Sequence, residues 1–184
     1  MYITALVDNN KITNRLDLTV ERGLSYHITT MGIQILFDSG SSQVFCENAK
    51  LLNVEIENID IAVISHRHHD HCNGITHFLE RNSKALVYLR ECEEADYLFK
   101  AFGFKFNVGN RKSLFNEQCN RFELINKFTE IYPNVFIITE LSEKYVRPKG
   151  NKYLFAKKGT FCKSDLFDHE LLMVVKEYDG LIIF

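Results

Sequence analysis

The chain of 184 residues predicts a layered α/β fold, and three observations carry that reading. Strand-like apolar stretches alternate with stretches of helical periodicity through mixed connections, which argues for helices layered on sheets. The stretch Ile59–Ser65 is apolar almost throughout, as expected of a strand covered on both faces. A hydrophobic content of 46% over this length supplies a core of real size, most simply that of one domain spanning 1–184.

Met1–Asp8, Leu24–Thr30 and Ile33–Phe37 read as strands, with Gly32 turning between the last two. Ser41 and Ser42 are placed to cap a helix carrying Val44, Phe45, Ala49, Leu51 and Leu52 on its apolar face. After the buried strand Ile59–Ser65, Gly74–Arg81 should be helical with Ile75, Phe78 and Leu79 inward. Ala85–Leu89 is expected to return as a strand and Glu91–Lys100 to form a helix. Phe102, Phe104 and Phe106 alternate at strand spacing, which core or sheet-edge packing explains. Phe122–Phe128, Val135–Thr139, Leu171–Lys176 and Leu181–Phe184 are the remaining strand candidates.

Bulk properties narrow the function classes. Charged residues make up 25% and the formal net charge is -2, so there is no global attraction to nucleic acid or an anionic membrane surface. No apolar run approaches the roughly 20 residues that span a bilayer. The first residues, Met1–Asp8, lack a basic start and a long apolar run and read as a strand rather than an export signal. Five cysteines without a Cys-x-x-Cys pair fit a reduced, cytoplasmic setting. Composition shifts only over 145–163, where Arg147, Lys149, Lys152, Lys157, Lys158 and Lys163 intersperse with Tyr145, Tyr153 and Phe155. A solvated hairpin or loop explains it best; the functional alternative is a cationic lip for an anionic substrate.

The most informative run is Ser65-His66-Arg67-His68-His69-Asp70-His71. Imidazole and carboxylate are the ligands that borderline divalent metals prefer. If extended geometry persists beyond the strand, His66 and His68 point to one face. A turn near His68 would swing Asp70 and His71 beside them, where they could hold a second ion. His69 falls between these positions and Arg67 is expected to face away, since a cation is repelled by the metals. Two ions about 3.5–4 Å apart can share one hydroxide and clamp a scissile oxygen.

His66-x-His68-x-Asp70-His71 after a hydrophobic strand resembles the HxHxDH signature of the metallo-β-lactamase-fold hydrolases. Phe37-Asp38-Ser39-Gly40 is similar to that superfamily's strand-ending Asp-Thr-Gly element. Leu6-Val7-Asp8-Asn9, Gly23-Leu24-Ser25, Asn48-Ala49, the segment Asp165–Glu170 and the strand Gly180–Phe184 resemble the branch labelled dihydropterin/ribofuranosylaminobenzene-phosphate synthase-like. Periodicity alone is equally compatible with a doubly wound sheet; the resemblance implies the αββα sandwich. It also implies that the fold is C-terminally incomplete here. Members continue past the strand matching Leu181–Phe184 into a Gly-Cys-Ser-His-like segment and further ligands, whereas His27, His77 and His169 do not occupy those positions. The chain then corresponds to the N-terminal two-thirds or so of such an enzyme, a homo-oligomer or a completing chain being a possible remedy.

The resemblance implies a metal-dependent hydrolase acting through metal-stabilised hydroxide on a small ester, thioester, lactam or phosphoester. His66 and His68 would hold one ion and Asp70 and His71 the other, with Asp70 also assisting proton transfer. Asp38 is the candidate to orient a ligand, although ordering the Asp-Ser-Gly turn explains it equally well. Asp8 and Asn9 could border the pocket or simply form a turn. Cys72 is more readily a packing residue than a soft ligand. Histidine rather than glutamate at His68 argues against the flavo-diiron variant and favours zinc, with manganese or iron as alternatives. The competing readings are an inactive fragment of such an enzyme, and a nucleic-acid-processing member supported only by the 145–163 cluster. No membrane partner is expected.

Overall fold

The computed structural model describes residues 1–110, 119–141, 144 and 146–184. Six strands form the first sheet: β1 (Tyr2–Val7), β2 (Ser25–Thr30), β3 (Ile33–Phe37), β4 (Ile61–Ile64), β5 (Leu86–Arg90) and, after β6 and β7 of another sheet, β8 (Phe122–Ile125). β1–β3 are antiparallel, whereas β3, β4, β5 and β8 run parallel. Crossovers between the parallel strands carry α1 (Val44–Leu51) and then α2 (His69–Cys72) with α3 (Ile75–Arg81).

Alternation in the central strands divides the core. Leu36, Ala62, Ile64, Val87 and Leu89 face the helices, meeting Phe45 and Ala49 of α1 and Ile75 and Phe78 of α3. Ile35, Phe37, Ile61 and Val63 face the opposite way, onto Val135, Ile137, Met173 and Val175. These belong to a second, antiparallel sheet made of β9 (Thr129–Tyr132), β10 (Val135–Ile138), β13 (Leu172–Glu177) and β14 (Gly180–Ile183). All four residues of β4 are buried because both sides of this strand are covered. The fold is therefore a helix–sheet–sheet sandwich of mixed α/β class. No described helix is long and apolar enough to cross a membrane.

A third sheet, in the order β12-β11-β6-β7, leans over the end of β4. It comprises β6 (Asp96–Ala101), β7 (Phe104–Asn107), β11 (Leu154–Lys158) and β12 (Phe161–Ser164). Here the expected helix over Glu91–Lys100 is overturned. Phe102 and Gly103 both have positive φ (52° and 78°) and make a two-residue hairpin turn that pairs Ala101 with Phe104. β6 is thereby held between β7 and β11, with Tyr97 and Leu98 buried. The aromatic alternation belongs to a turn and its following strand, and Phe102 itself is 93% exposed. The hairpin expected within 145–163 is β11–β12; Tyr145 lies outside the described residues.

Two smaller differences concern ends. Leu51 is exposed rather than on the buried face of α1. Ser42 Oγ accepts from Val44 N, but Glu21 serves the turn entering the helix, accepting from the backbone N–H groups of Ser41 and Ser42. The candidate strand Phe122–Phe128 ends at Ile125, and a separate strand, β9, starts at Thr129.

Candidate metal centre

The histidine run begins where β4 ends, and the loop that carries it is clamped from three sides. Leu24 N donates to Asp70 O (3.3 Å) and Ser39 N to His71 O (2.7 Å). His69 N and His69 Nδ1 both donate to Val108 O, at 2.8 and 3.1 Å, tying the loop to the end of β7. Gly23 lets the backbones come this close: a Cβ there would lie 1.8 Å from Asp70 O, and its φ of +119° suits glycine alone. Gly74 has the same role after α2, where a Cβ would sit 2.0 Å from Ser39 O.

Within this frame the imidazoles of His66, His68 and His71 converge. The ring centroid of His66 lies 4.8 Å from that of His68 and 4.1 Å from that of His71. Asp38 is fully buried, with a left-handed φ of 58° that Asp tolerates better than most residues. One of its oxygens accepts from Ser65 N (2.7 Å); the other accepts from Ser65 Oγ (2.7 Å) and from His71 Nδ1 (2.6 Å). Because the Ser65 hydroxyl proton goes to Asp38, its oxygen is left to accept from His66 Nδ1 at 2.9 Å. His66 thus carries its proton on Nδ1 and keeps Nε2 as a lone pair, and His71 does the same in its neutral form. Burial holds His66 well below the usual histidine value, reinforced by the imidazoles of His71, His68 and His169. His66 is neutral at pH 7, the state that ligates a metal. Burial lowers His71 as well, but the Asp38 carboxylate outweighs it and leaves His71 raised.

His68 is organised by a second carboxylate. Its Nε2 donates to Asp165 Oδ2 at 3.1 Å, leaving Nδ1 as the lone pair. The same oxygen accepts from His169 Nε2 (3.2 Å), and Asp165 Oδ1 accepts from Phe167 N (2.8 Å). Despite the upward push of burial, the bonds from His169 and His68 hold Asp165 far below the usual carboxylate range. One potential ligand atom from each of His68, Asp165 and His169 lies within 4.8 Å of the others, a spacing that a cation could bridge. The tautomers argue for orientation instead. His169 Nδ1 accepts from Arg67 N at 3.0 Å, so its Nε2 carries the proton that Asp165 receives. Tyr97, 4.2 Å away ring to ring, and Phe167, at 5.6 Å, pack against His169.

Other candidates fall as follows. Asp70 Oδ2 lies 3.9 Å from Arg22 Nε and is partly exposed, and its charge acts on His71. Arg67 is buried and reaches Arg90 O at 3.2 Å. Cys72 packs in the helix-side core, where burial raises its thiol, so it is not available as a thiolate ligand. Asp8 accepts from Asn10 N (2.7 Å) and Asn9 from Gly23 N (3.0 Å), both as turn groups. Asp165 and His169 are the residues whose place beside the imidazoles sequence reasoning missed, although the segment Asp165-Leu166-Phe167-Asp168-His169-Glu170 already stood out by its resemblance and as a dense polar run just before an apolar strand.

The donor chemistry suits a divalent cation, since His66 Nε2, His68 Nδ1 and His71 Nε2 are the ring nitrogens left over by the bonds to Ser65, Asp165 and Asp38. Among the described residues, however, the one group of three potential ligand atoms within 4.8 Å of one another is His68, Asp165 and His169, and it includes none of His66, Asp70 and His71. Residues 18–136 match the family model of the metallo-β-lactamase superfamily. The uncharacterized protein MJ0448 of Methanocaldococcus jannaschii is 37% identical over 81 residues, covering 44% of this chain and 30% of that protein. The crystal structure of Tm1679, described as a metal-dependent hydrolase of the β-lactamase superfamily, superposes with a TM-score of 0.75 at 25% identity. That match covers 98% of this chain and 63% of Tm1679. A metallo-β-lactamase of Cronobacter sakazakii shares the fold, with a TM-score of 0.55 at 15% identity over 91% of this chain and 57% of that one. The chain thus spans less than two thirds of the length of these relatives.

Proposed function

The chain belongs to the metallo-β-lactamase superfamily, and on that premise we propose that it is the histidine-bearing part of a metal-dependent hydrolase of a small ester, thioester, lactam or phosphoester. The observation that carries the reading is the fixing of three tautomers by buried acids: Asp38, directly and through Ser65, turns His71 and His66, and Asp165 turns His68. Polar groups spent in this way on ring orientation are what a ligand set needs and what a merely solvated loop does not. His66 and His68 would hold one divalent ion and Asp70 and His71 a second, zinc being the best match to this donor set. When bound, the cation supplies an activated water and polarises the carbonyl or phosphoryl oxygen under attack.

The protein's own groups would divide the remaining work. Asp70 would take and return a proton at its carboxylate oxygens. Asp38 and Asp165 hold the imidazole protons at Nδ1 of His71 and Nε2 of His68, so that neither ring can rotate its lone pair away. A catalytic zinc has about three protein ligands plus water, and the proposed assignment gives two per ion. Completion of each shell by polypeptide following the β14 strand, as in the dihydropterin/ribofuranosylaminobenzene-phosphate synthase-like branch, or by a second chain, is part of the proposal, as is a cytoplasmic setting.

Elemental analysis of the purified protein, with His66→Ala and His71→Ala variants, tests the reading. Stoichiometric zinc or manganese, halved or abolished in the variants, is the expected result, together with hydrolysis of at least one member of an ester, lactone and phosphoester panel. Absence of bound metal after reconstitution, both in this chain and in one extended beyond Phe184, would overturn it.

A further inference from the structure

Beside the imidazole cluster, beyond Phe167, lies a cavity of about 620 Å³ that the proposed ligands do not line. Its walls come from the end of β5 (Arg90), the residue after β10 (Thr139), the chain at 146–148, and the turn that carries Leu166, Phe167 and Glu170. Phe167 joins the two spaces, with its ring 5.5 Å from that of His68 and 6.4 Å from that of His66.

Two polar groups in this wall are enclosed without a hydrogen-bond partner among the described residues. The Thr139 hydroxyl is one, in a residue only 2% exposed; Arg90 Nε is the other. Arg90 spends its NH1 group on a long contact to Glu170 O at 3.4 Å. Buried donors and acceptors are nearly always satisfied, so two orphans in one cavity wall mark a place for oxygen atoms from elsewhere. Arg147, whose NH1 group lies 3.4 Å from Asp165 O, adds positive charge at the edge. Of the acids in the wall, Asp168 is paired with Lys158 at 3.1 Å, and the half-buried Glu170 is balanced by the charges of His68, Arg147 and His71. Leu141, Val146 and Leu166 are exposed around the opening and offer apolar surface next to the charged floor.

We propose that this cavity takes the anionic arm of the substrate, a carboxylate or a phosphate monoester on a small apolar body, with Arg90 and Thr139 binding its oxygens. The guanidinium fork matches both oxyanions, and a hydroxyl can donate to either. The word substrate rests on the hydrolase reading above; the binding site itself does not, since none of its oxyanion-binding groups is a proposed metal ligand. The geometry places the anion next to Phe167, so a bond a few ångströms farther along the molecule would lie over the imidazoles.

Amide chemical-shift titrations of the ¹⁵N-labelled chain test this, with phenyl phosphate, benzoate and neutral benzyl alcohol as probes, before and after zinc loading. Saturable shifts at Thr139 and Phe167 with at least one anion are expected even without metal, and the anion that saturates first distinguishes phosphate from carboxylate. Benzyl alcohol should bind at least about 10-fold more weakly; Arg90→Ala should cost the anion about 10-fold or more and Thr139→Val about 3-fold, in line with loss of a charged and a neutral hydrogen bond. Should Arg90→Ala fail to fold, Arg90→Lys and the near-isosteric Thr139→Val carry the test. No saturable anion shift, equal binding of the neutral probe, or wild-type affinity in both conservative variants would overturn the proposal. Anion binding in a protein that takes up no zinc would sink the hydrolase reading and leave the cavity's role standing; zinc uptake without anion binding would do the reverse.

Discussion

The imidazole cluster is built as two halves, each around a buried aspartate, and the halves are made differently. Asp38, at the end of β3, collects Ser65 and His66 from the end of the neighbouring parallel strand β4 and His71 from α2, all within the first 72 residues of the chain. Asp165 collects His169 from its own turn and His68 from a loop 97 residues earlier in sequence, across the junction of the first and third sheets. The first half rides on the most deeply buried strand of the molecule. The second depends on the turn between β12 and β13, whose residue Phe167 has a positive φ of 56°. The same chemical device, a carboxylate that fixes the protons of two rings, therefore rests once on a rigid sheet and once on a turn.

If rigidity separates the halves, removing each carboxylate should show it. Asp38→Ala strips the Ser65 backbone N–H, the Ser65 hydroxyl and His71 Nδ1 of one shared acceptor. A loss of about 3–5 kcal/mol is expected, as for a buried ionic group deprived of its partner. Asp165→Ala also orphans three donors, but in a turn that can readjust and admit water; about 2–3 kcal/mol is expected. Urea unfolding, compared at unchanged m-value, measures both. Equal losses would show that the halves are equally rigid and would break the contrast.

Gly23→Ala probes the clamp on the first half. The new Cβ would stand 1.8 Å from Asp70 O, a backbone atom that can move only with the loop. About 2–4 kcal/mol of destabilisation is expected, from the clash added to a left-handed φ. Gly159→Ala, in the β11–β12 turn at φ +60° with nothing within 4 Å of its Cβ, is the matched control. It should cost only about 1–2 kcal/mol, the conformational term alone. Similar midpoints for the two variants would mean that the close approach at Gly23 is unimportant.

The contrast between halves also explains what the sequence made legible. Asp38 and the histidine run were visible because each sits at the end of an apolar strand, and strand ends are marked by composition. Asp165 and His169 were not, because what gives them meaning is the packing of a turn against a loop almost 100 residues earlier, which no local pattern encodes. The two hairpin turns make the same point. Met31-Gly32 and Phe102-Gly103 both place positive φ at two successive residues. Gly32 was readable as a turn; Gly103 was obscured because Phe102 continues an aromatic alternation and the residues before it, Glu91 to Ala95, are acidic and helix-compatible in isolation. Pairing with β11, a strand contributed by the basic 145–163 stretch, overrides that local preference. The layer order was legible in outline through the fully apolar β4, while the third sheet was not expected.

Metal affinity gives a finer comparison than stability. Asp165→Asn keeps the shape and leaves the His68 ring without its charged partner. If Asp165 orients His68, zinc affinity should fall about 10–100-fold, the usual consequence of losing a group behind a ligand. A fall far beyond this range, with His169→Gln matching it, would instead identify His68, Asp165 and His169 as the ligands themselves. Competition titration against a chromophoric chelator resolves the two outcomes.

The smallest effect tests whether the second half stores strain in its turn. Phe167 combines a left-handed backbone with a ring stacked on His169, and the conformation costs any residue bearing a Cβ about 1–2 kcal/mol. Phe167→Ala removes the ring and keeps that cost. Phe167→Gly removes both, at about 0.5–1 kcal/mol of added chain entropy. The glycine variant should therefore be more stable than the alanine variant, by about 0.5–1 kcal/mol, reversing the usual order of these residues. In both, His68 should lose edge-on packing and zinc binding should weaken modestly, while His66 and His71, held by Asp38, keep their ring orientations. Nitrogen chemical shifts of the imidazoles report this directly: altered tautomer signals at His68 alone would separate the halves, and equal changes at His71 would join them.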